Sequence, residues 1–442
     1  MADEPIYKAK QMDTVATMLK RILTLLAGAV LGVTVSAVAL RQAAAWGWLP
    51  NWELNRSAGY VRDVIKLVND NYVEADAVHF DRLSREAIRG LVGSLDPHSE
   101  FLEAEDFRFF ESDINGDFGG IGVQVEMKDG RVMVIAPMAG TPGERAGILR
   151  GDEIISVDGR PLAVTGPMDD AIKRLRGKPK TKVVVGIHRP GTGKNLELTL
   201  VRELIKIESV RTAHLINGRI GYIHLVDFSA RTGEDFLTAL ERLINQGADS
   251  LIIDLRNNPG GLLDAAVEVA EPFFRKDELV VYTRGRKPED HEEYRAAMSG
   301  EPIDLPLAVI INAGSASAAE VVTGALKDTK RAVVVGERSF GKGSVQSVFK
   351  LKNGEGLRLT TARYYTPGGE SIHGKGITPH VEVVMSPEED NKLRVRTDIT
   401  DRGQFEQRFG FAPVEDRQLQ AAIDVLKGIS VLRERTPTGA RP

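Results

Sequence analysis

The sequence predicts an α/β chain: a layered core of alternating strands and helices, preceded by a smaller module of short strands and, before that, by helices. Three observations lead there. From residue 204 onward, continuously apolar runs alternate with amphipathic stretches, as expected of strands buried on both faces of a mainly parallel sheet. Between residues 113 and 203, short alternating runs are separated by Gly- and Pro-containing turns. Ahead of residue 112, apolar residues recur at spacings of three and four.

The 442 residues exceed one ordinary domain. With 58 basic against 62 acidic residues, the net charge of −4 gives no reason to expect nucleic acid or an anionic membrane surface as a partner. The chain has no cysteine, which excludes disulfides, thiolate metal sites and a cysteine nucleophile.

At the amino terminus, Lys8, Lys10, Lys20 and Arg21 precede an uncharged apolar stretch from Ile22 to Leu40. Nineteen helical residues rise about 28 Å, close to the ~30 Å hydrocarbon core of a bilayer. Residues 1–21 read as a cytoplasmic n-region, and 22–40 as a signal peptide or membrane anchor. Ala43-Ala44-Ala45 fits a small-residue cleavage site, so cleavage and retention both stay open. Either outcome places the bulk of the chain in the periplasm or its equivalent.

Residues 53–112 form an N-terminal helical region. Val61, Val64, Ile65, Val68 and Tyr72 make one apolar stripe, and Leu83, Ala87, Ile88 and Leu91 make a second, which Leu95-Asp96-Pro97-His98 ends. These stripes must be buried, against the rest of the chain or a second copy. In residues 113–203, Phe118-Gly119-Gly120-Ile121-Gly122-Val123 runs from a glycine-rich loop into a strand, Asp158-Gly159 marks a turn, and Met168 to Arg176 is an amphipathic helix. Residues 204–385 hold strands at Arg219–Asp227, Ser250–Leu255, Leu279–Tyr282, Leu307–Ile311 and Ala332–Val335. Helices are expected at Thr232–Gln246, with Thr232 as N-cap, at Leu262–Phe274 and at Ser317–Lys327. Residues 386–442 form a C-terminal helical region, where Leu419, Ile423, Leu426 and Ile429 suggest a last amphipathic helix for packing or oligomerisation.

Ligands in such layered folds sit beyond the carboxyl ends of strands. One loop there, Asp254 to Gly261, contains Asn257-Asn258-Pro259-Gly260-Gly261 and opens a helix with unpaired N–H groups. A second, Asn312-Ala313-Gly314-Ser315-Ala316-Ser317-Ala318-Ala319-Glu320, can expose a serine while the next N–H stabilises an oxyanion. Ser315 can equally be a helix cap, with Glu320 an ordinary surface residue. The histidines assemble no base. Lys342, in Phe340-Gly341-Lys342-Gly343-Ser344-Val345-Gln346, can reach the same cleft, or can be a solvent-facing lysine. To serve as a base near pH 7 it must be neutral, which from about 10.4 requires about 4 kcal/mol of differential destabilisation of the charged form.

Residues 113–203 resemble a PDZ domain. Gly120, Ile121, Gly122 and Val123 match its carboxylate-binding loop, and Arg145-Ala146-Gly147-Ile148-Leu149-Arg150-Gly151-Asp152-Glu153-Ile154-Ile155 its downstream segment. Together with Leu95-Asp96-Pro97-His98-Ser99 and the three loops, the chain from Glu53 to about Lys427 resembles the carboxyl-terminal processing, tail-specific serine proteases of the bacterial periplasm. That resemblance implies a Clp-protease/crotonase-like layered core. It also implies Ser317 as nucleophile, Lys342 as general base and Gln346 as the group orienting the lysine. Ala318 and either Gly260 or Gly261 would supply the oxyanion donors, Pro259 having no N–H. It implies no metal and no cofactor. The implied partners are protein substrates with accessible C-termini, an envelope adaptor or regulator, and further copies of the chain in a homo-oligomer. Arg176 is a candidate for coupling the PDZ module to the site. The competing readings are a crotonase-like enzyme acting on an acyl thioester, and a non-catalytic PDZ scaffold. An exported chain argues against the first, and the intact Ser317, Lys342 and Gln346 set against the second.

Overall fold

The structure, a computed structural model, describes residues 4–45, 51–128, 130–138, 140–162, 168–393 and 402–435. Residues 1–3 of the predicted n-region, and 394–401 and 436–442 of the predicted C-terminal region, lie outside the described residues. The chain divides into two units, Met1–Leu91 and Val92–Pro442.

In the first unit, the helix Glu4–Ala45 contains a run, Thr17–Ala39, that is long and apolar enough to cross a membrane by length and composition. The helix Trp52–Asn71 starts at Asn51, whose side chain accepts the Leu54 N–H at 3.1 Å. Val61 and Ile65 of this helix, with Ala87, Ile88 and Leu91, line an apolar groove of about 700 Å³. Val61, Val64 and Val68 remain exposed.

The second unit is built on a six-stranded sheet in the order Val210–Ile216, Ile220–Leu225, Ser250–Asp254, Leu307–Ile311, Val333–Gly336, Val381–Glu382. Its first pair is antiparallel and every other pair parallel. Alternation along each strand sends side chains to opposite faces. Leu251 and Ile253 pack with the helices Thr232–Asn245, Leu263–Ala270 and Ala318–Asp328 on one face. Ile252, Ala308 and Ile310 face the other way, onto Ala422, Ile423 and Leu426 of the helix Arg417–Arg435. A sheet covered on both sides needs apolar residues at consecutive positions, which is why Ser250 to Leu255 shows no alternation in sequence.

Three predicted elements need correction. The Leu279 strand lies outside the parallel sheet. It pairs antiparallel with Glu292–Arg295 and Gly356–Tyr365 in a second sheet, which also holds Ser344–Lys350 and Glu100–Leu102. The Leu262–Phe274 helix ends at Ala270 and continues as a 3-10 turn, because Pro272 has no N–H for a further α-helical bond. Arg231, not Thr232, is the N-cap of Thr232–Asn245. Thr232 Oγ1 instead accepts the Ser229 N–H at 2.8 Å and donates to Ser209 Oγ at 2.7 Å.

The smaller module is an antiparallel sheet of Val123–Lys128, Arg131–Pro137, Glu153–Val157, Lys182–Arg189 and Lys194–Val201 around buried Ile121, Val134, Ile148, Ile154 and Val185. The chain enters and leaves it through one ribbon, Asp117–Gly120 paired with Glu203–Lys206. Inside it, the buried Asp152 carboxylate receives Arg189 at 2.8 Å on both oxygens and the Leu149 N–H at 2.8 Å. Burial opposes ionisation, but these bonds hold its carboxyl below the usual range. A depressed folded value contributes stability that is complete above the unfolded value and is lost as pH falls through the folded one. Asp152→Ala is expected to destabilise the module by about 2 kcal/mol near neutral pH, read in urea melts. The difference from wild type should shrink as pH falls below about 4.

Candidate active site

Ser317, Glu320 and the loop holding Lys342 meet at the carboxyl end of the central strands. Leu307–Ile311 runs out into Asn312–Ser317, and the helix Ala318–Asp328 begins at once. Ser317 has φ 55° and ψ −116°, a left-handed φ that is strained for a residue with a Cβ. What holds it there is Glu320, which is wholly buried. The Ser317 N–H donates to Glu320 Oε2 at 2.9 Å, and the Glu320 N–H returns to the Ser317 carbonyl at 2.9 Å. The same carboxylate takes the loop that follows Val333–Gly336. Oε1 accepts Ser339 Oγ at 2.5 Å and the Gly341 N–H at 2.7 Å, and Oε2 accepts the Lys342 N–H at 2.8 Å. Ser317 and Lys342 therefore share one acceptor atom through their main chains. Glu320 is not a surface residue.

Ser315 has a different task. Fully buried, it donates from Oγ to the Leu255 carbonyl at 2.7 Å and accepts the Asn312 N–H at 3.0 Å, closing the turn and not the helix.

The Lys342 side chain is half-buried. Burial, then the positive charge of Arg358, push its ammonium below its ordinary value, while Glu320 acts in the opposite sense. Arg358 is held by the His98 carbonyl at 3.2 Å and by Glu100 at 2.8 Å. His98 is also near: burial, then the Lys342 charge, push its imidazole down. Tyr364 reaches the Ser317 side chain, and burial pushes its phenol up.

Gln346 points its amide elsewhere. Nε2 donates to Ser344 Oγ at 2.9 Å and to Thr360 Oγ1 at 3.4 Å. Thr360 in turn donates from Oγ1 to Asp96 at 3.2 Å, and its N–H goes to Ser99 Oγ at 3.1 Å. The Asp96–Ser99 turn is thus stitched to the strand opposite Gln346. Burial would raise the Asp96 carboxyl, but hydrogen bonds from Ser99, His98 and Thr360 hold it low.

The loop after Ser250–Asp254 lies against Ser317. A Cβ on Gly260 would stand 2.6 Å from Ser317 Cβ and 2.8 Å from the Ala318 nitrogen, so only glycine fits. The Gly260 N–H bonds Asn258 Oδ1 at 2.9 Å, and the wholly buried Asn258 also accepts the Ala316 N–H at 2.9 Å on its carbonyl. Gly261 instead abuts the Phe228 carbonyl, 2.0 Å from where a Cβ would be. Ala318 opens its helix, where the first N–H groups have no intrahelical acceptor.

In the smaller module, Gly120, Ile121, Gly122 and Val123 line a groove of about 240 Å³ with Ile172 and Arg176. The Arg176 guanidinium pairs with Asp113 at 2.8 Å and sits 4.6 Å from the Phe118 ring centroid. The structure therefore gathers Ser317, Ala318, Gly260 and the Lys342 loop in one place, and Gly120–Val123 with Arg176 in another. Sequence reasoning missed Glu320, although Ser317-Ala318-Ala319-Glu320 has the spacing of a capping box. It named Asp96 only as part of the Leu95–Ser99 turn, with no role, and missed Arg358.

Peptidase family S41 matches residues 219–383, and the PDZ domain matches residues 119–200. A carboxy-terminal-processing protease of Bartonella bacilliformis is 37% identical over 384 residues, covering 83% of this chain and 87% of that protein. A probable CtpA-like serine protease of Staphylococcus aureus is 38% identical over 325 residues, covering 73% of this chain and 64% of that protein. Among solved structures, a photosystem II D1 C-terminal processing protease shares 32% identity, over 74% of this chain and 92% of that one, with a TM-score of 0.44.

Glutamine at position 320 would set an amide NH₂ against N–H donors. Glu320→Gln is expected to cost about 3 kcal/mol in urea melts, whereas Ser317→Ala, which keeps the N–H to Glu320, should melt within about 1 kcal/mol of wild type.

Proposed function

As a member of peptidase family S41, the chain is a serine-type peptidase, and we propose that it cuts peptide bonds with a Ser317–Lys342 dyad in proteins selected by their C-terminal tails. The observation that carries this reading is the single buried carboxylate of Glu320, to which the backbones of both residues are bonded. Neutral Lys342 takes the Ser317 hydroxyl proton as Oγ attacks the carbonyl carbon, forming a tetrahedral anion. The Ala318 N–H and an N–H of the Gly260-Gly261 pair receive the oxyanion. Gly260 is the nearer candidate, its contact with Ser317 supporting it, and an entering oxygen has to compete with Asn258 Oδ1 for its N–H. As the anion collapses, the C–N bond breaks and Lys342 gives its proton to the leaving amine. Water then hydrolyses the ester to the free carboxylate and Ser317.

The Gln346 amide, engaged by Ser344 and Thr360, supports reading this arrangement as a resting state. In the active state Gln346 turns to orient Lys342. The PDZ groove receives a free C-terminus, which can draw Arg176 from Asp113 and so connect tail capture to the protease core. The apolar N-terminal helix fits export into the cell envelope, by anchor or by signal peptide. The exposed stripes of the first unit favour a homo-oligomer, and an envelope adaptor remains compatible with the tail-reading groove.

A reporter protein with an apolar C-terminal tail should be cleaved by the full-length chain and not by Ser317→Ala or Lys342→Ala. Cleavage surviving in Ser317→Ala contradicts the assignment. Because the base must be neutral, kcat should rise with pH through the Lys342 value, at a midpoint below the 10.5 of an ordinary lysine. Removing the Arg358 charge in Arg358→Gln should move that midpoint upward.

A further inference from the structure

The C-terminal arm reaches the back of the Asp254–Gly261 loop. Asp416 immediately precedes the helix Arg417–Arg435, and its Oδ1 accepts the Leu419 N–H at 3.0 Å, as an N-cap does. Both oxygens of the same carboxylate also receive Arg256, from Nη1 and Nη2, each at 2.8 Å. The other edge of that guanidinium meets the buried Asp254, with Nη2 to Oδ2 at 2.6 Å and Nε to Oδ1 at 3.0 Å. Arg256 is thus fixed in its plane between a carboxylate of its own loop and one 160 residues later in the chain.

The consequence runs along the loop. Asn257, next to Arg256, has φ 56° and holds that left-handed turn by donating its N–H to Asn312 Oδ1 at 2.9 Å. The following Asn258 carries both the Ala316 N–H, one residue before Ser317, and the Gly260 N–H. A second contact supports the same turn: Asp390 receives Asn257 Nδ2 at 3.3 Å and Asn312 Nδ2 at 3.4 Å. Hydrogen bonds at either end and the consecutive backbone Arg256-Asn257-Asn258 make up this relay, and none of them involves the Ser317 or Lys342 side chain.

We propose that Asp416 is a positioning residue for the oxyanion-binding loop, acting through Arg256, so that the C-terminal arm is part of the catalytic geometry. This rests on the peptidase reading above. It predicts a defect of one kind: weaker stabilisation of the tetrahedral anion, with base and substrate binding left alone.

Asparagine separates this role from plain helix capping, since it caps as well as aspartate but carries no charge for Arg256. In the full-length chain, Asp416→Asn should fold to the wild-type secondary structure with a lowered melting midpoint, because its amide NH₂ meets an Arg256 donor, and should lower kcat on a fluorogenic peptide by about tenfold. KM should stay within about twofold, and the pH midpoint of kcat should not move. Affinity for a peptide boronate, which mimics the tetrahedral anion, should fall by the same factor as kcat. Asp424→Asn, an exposed position on the same helix, should change neither. If Asp416→Asn does not fold, Asp390→Asn reads the other support and should show the same pattern, smaller in size. Wild-type kcat and boronate affinity in the folded variant, or a loss confined to KM, overturns the inference while leaving the dyad intact. A wild-type chain without peptidase activity overturns the dyad and this inference together.

Discussion

One buried carboxylate organises the site. Glu320 has no exposure to solvent and accepts four hydrogen bonds, two on each oxygen. A carboxylate so placed is costly unless every lone-pair direction is used. The site uses them, and the result is geometric. The strained backbone at Ser317 and the glycine-flanked loop of Lys342 are both set by the same anion. The carboxylate also bears on Lys342 electrostatically, favouring the ammonium, so burial and Arg358 must outweigh it to keep the amine below its ordinary value. The clamp thus opposes the neutrality that the proposed dyad needs.

Around that clamp the fold is arranged by periodicity. Strands sandwiched between helices on both faces deliver two loops to one end of the sheet, and the second, antiparallel sheet brings Gln346, Thr360 and Arg358 alongside. The Asp96–Ser99 turn joins that sheet through Glu100–Leu102, and its hydrogen bonds reach Thr360, which also holds the Gln346 amide. The proposed turn of Gln346 toward Lys342 would have to release these bonds. The ribbon Asp117–Gly120 with Glu203–Lys206 leads on to Ser209, whose buried hydroxyl meets those of Ser229 and Thr232.

Much of this was legible in the residues. Continuous apolar runs such as Leu307–Ile311 announced doubly covered strands, and the loops with Gly260 and Ser317 stood where such strands end. Local pattern could not choose between Ser315 and Ser317, because both lie in the same small-residue turn. The difference is tertiary: Ser315 meets the Leu255 carbonyl, sixty positions away, and only folding reveals it. The Leu279 strand was misplaced because an apolar run carries no record of which sheet it joins. Glu320 had a readable signature in the capping-box spacing, whereas Arg256 and Asp416 had none, since their pairing spans most of the core.

The account stands on Lys342 being an amine that loses its proton more readily than an exposed lysine. Direct titration of its side chain by NMR tests this, with ¹³C-labelled lysine in the full-length Ser317→Ala chain and Lys342→Arg to assign the resonance. The account predicts a Lys342 midpoint clearly below 10.5, apart from the other lysines. A Lys342 resonance titrating with the exposed lysines would contradict it.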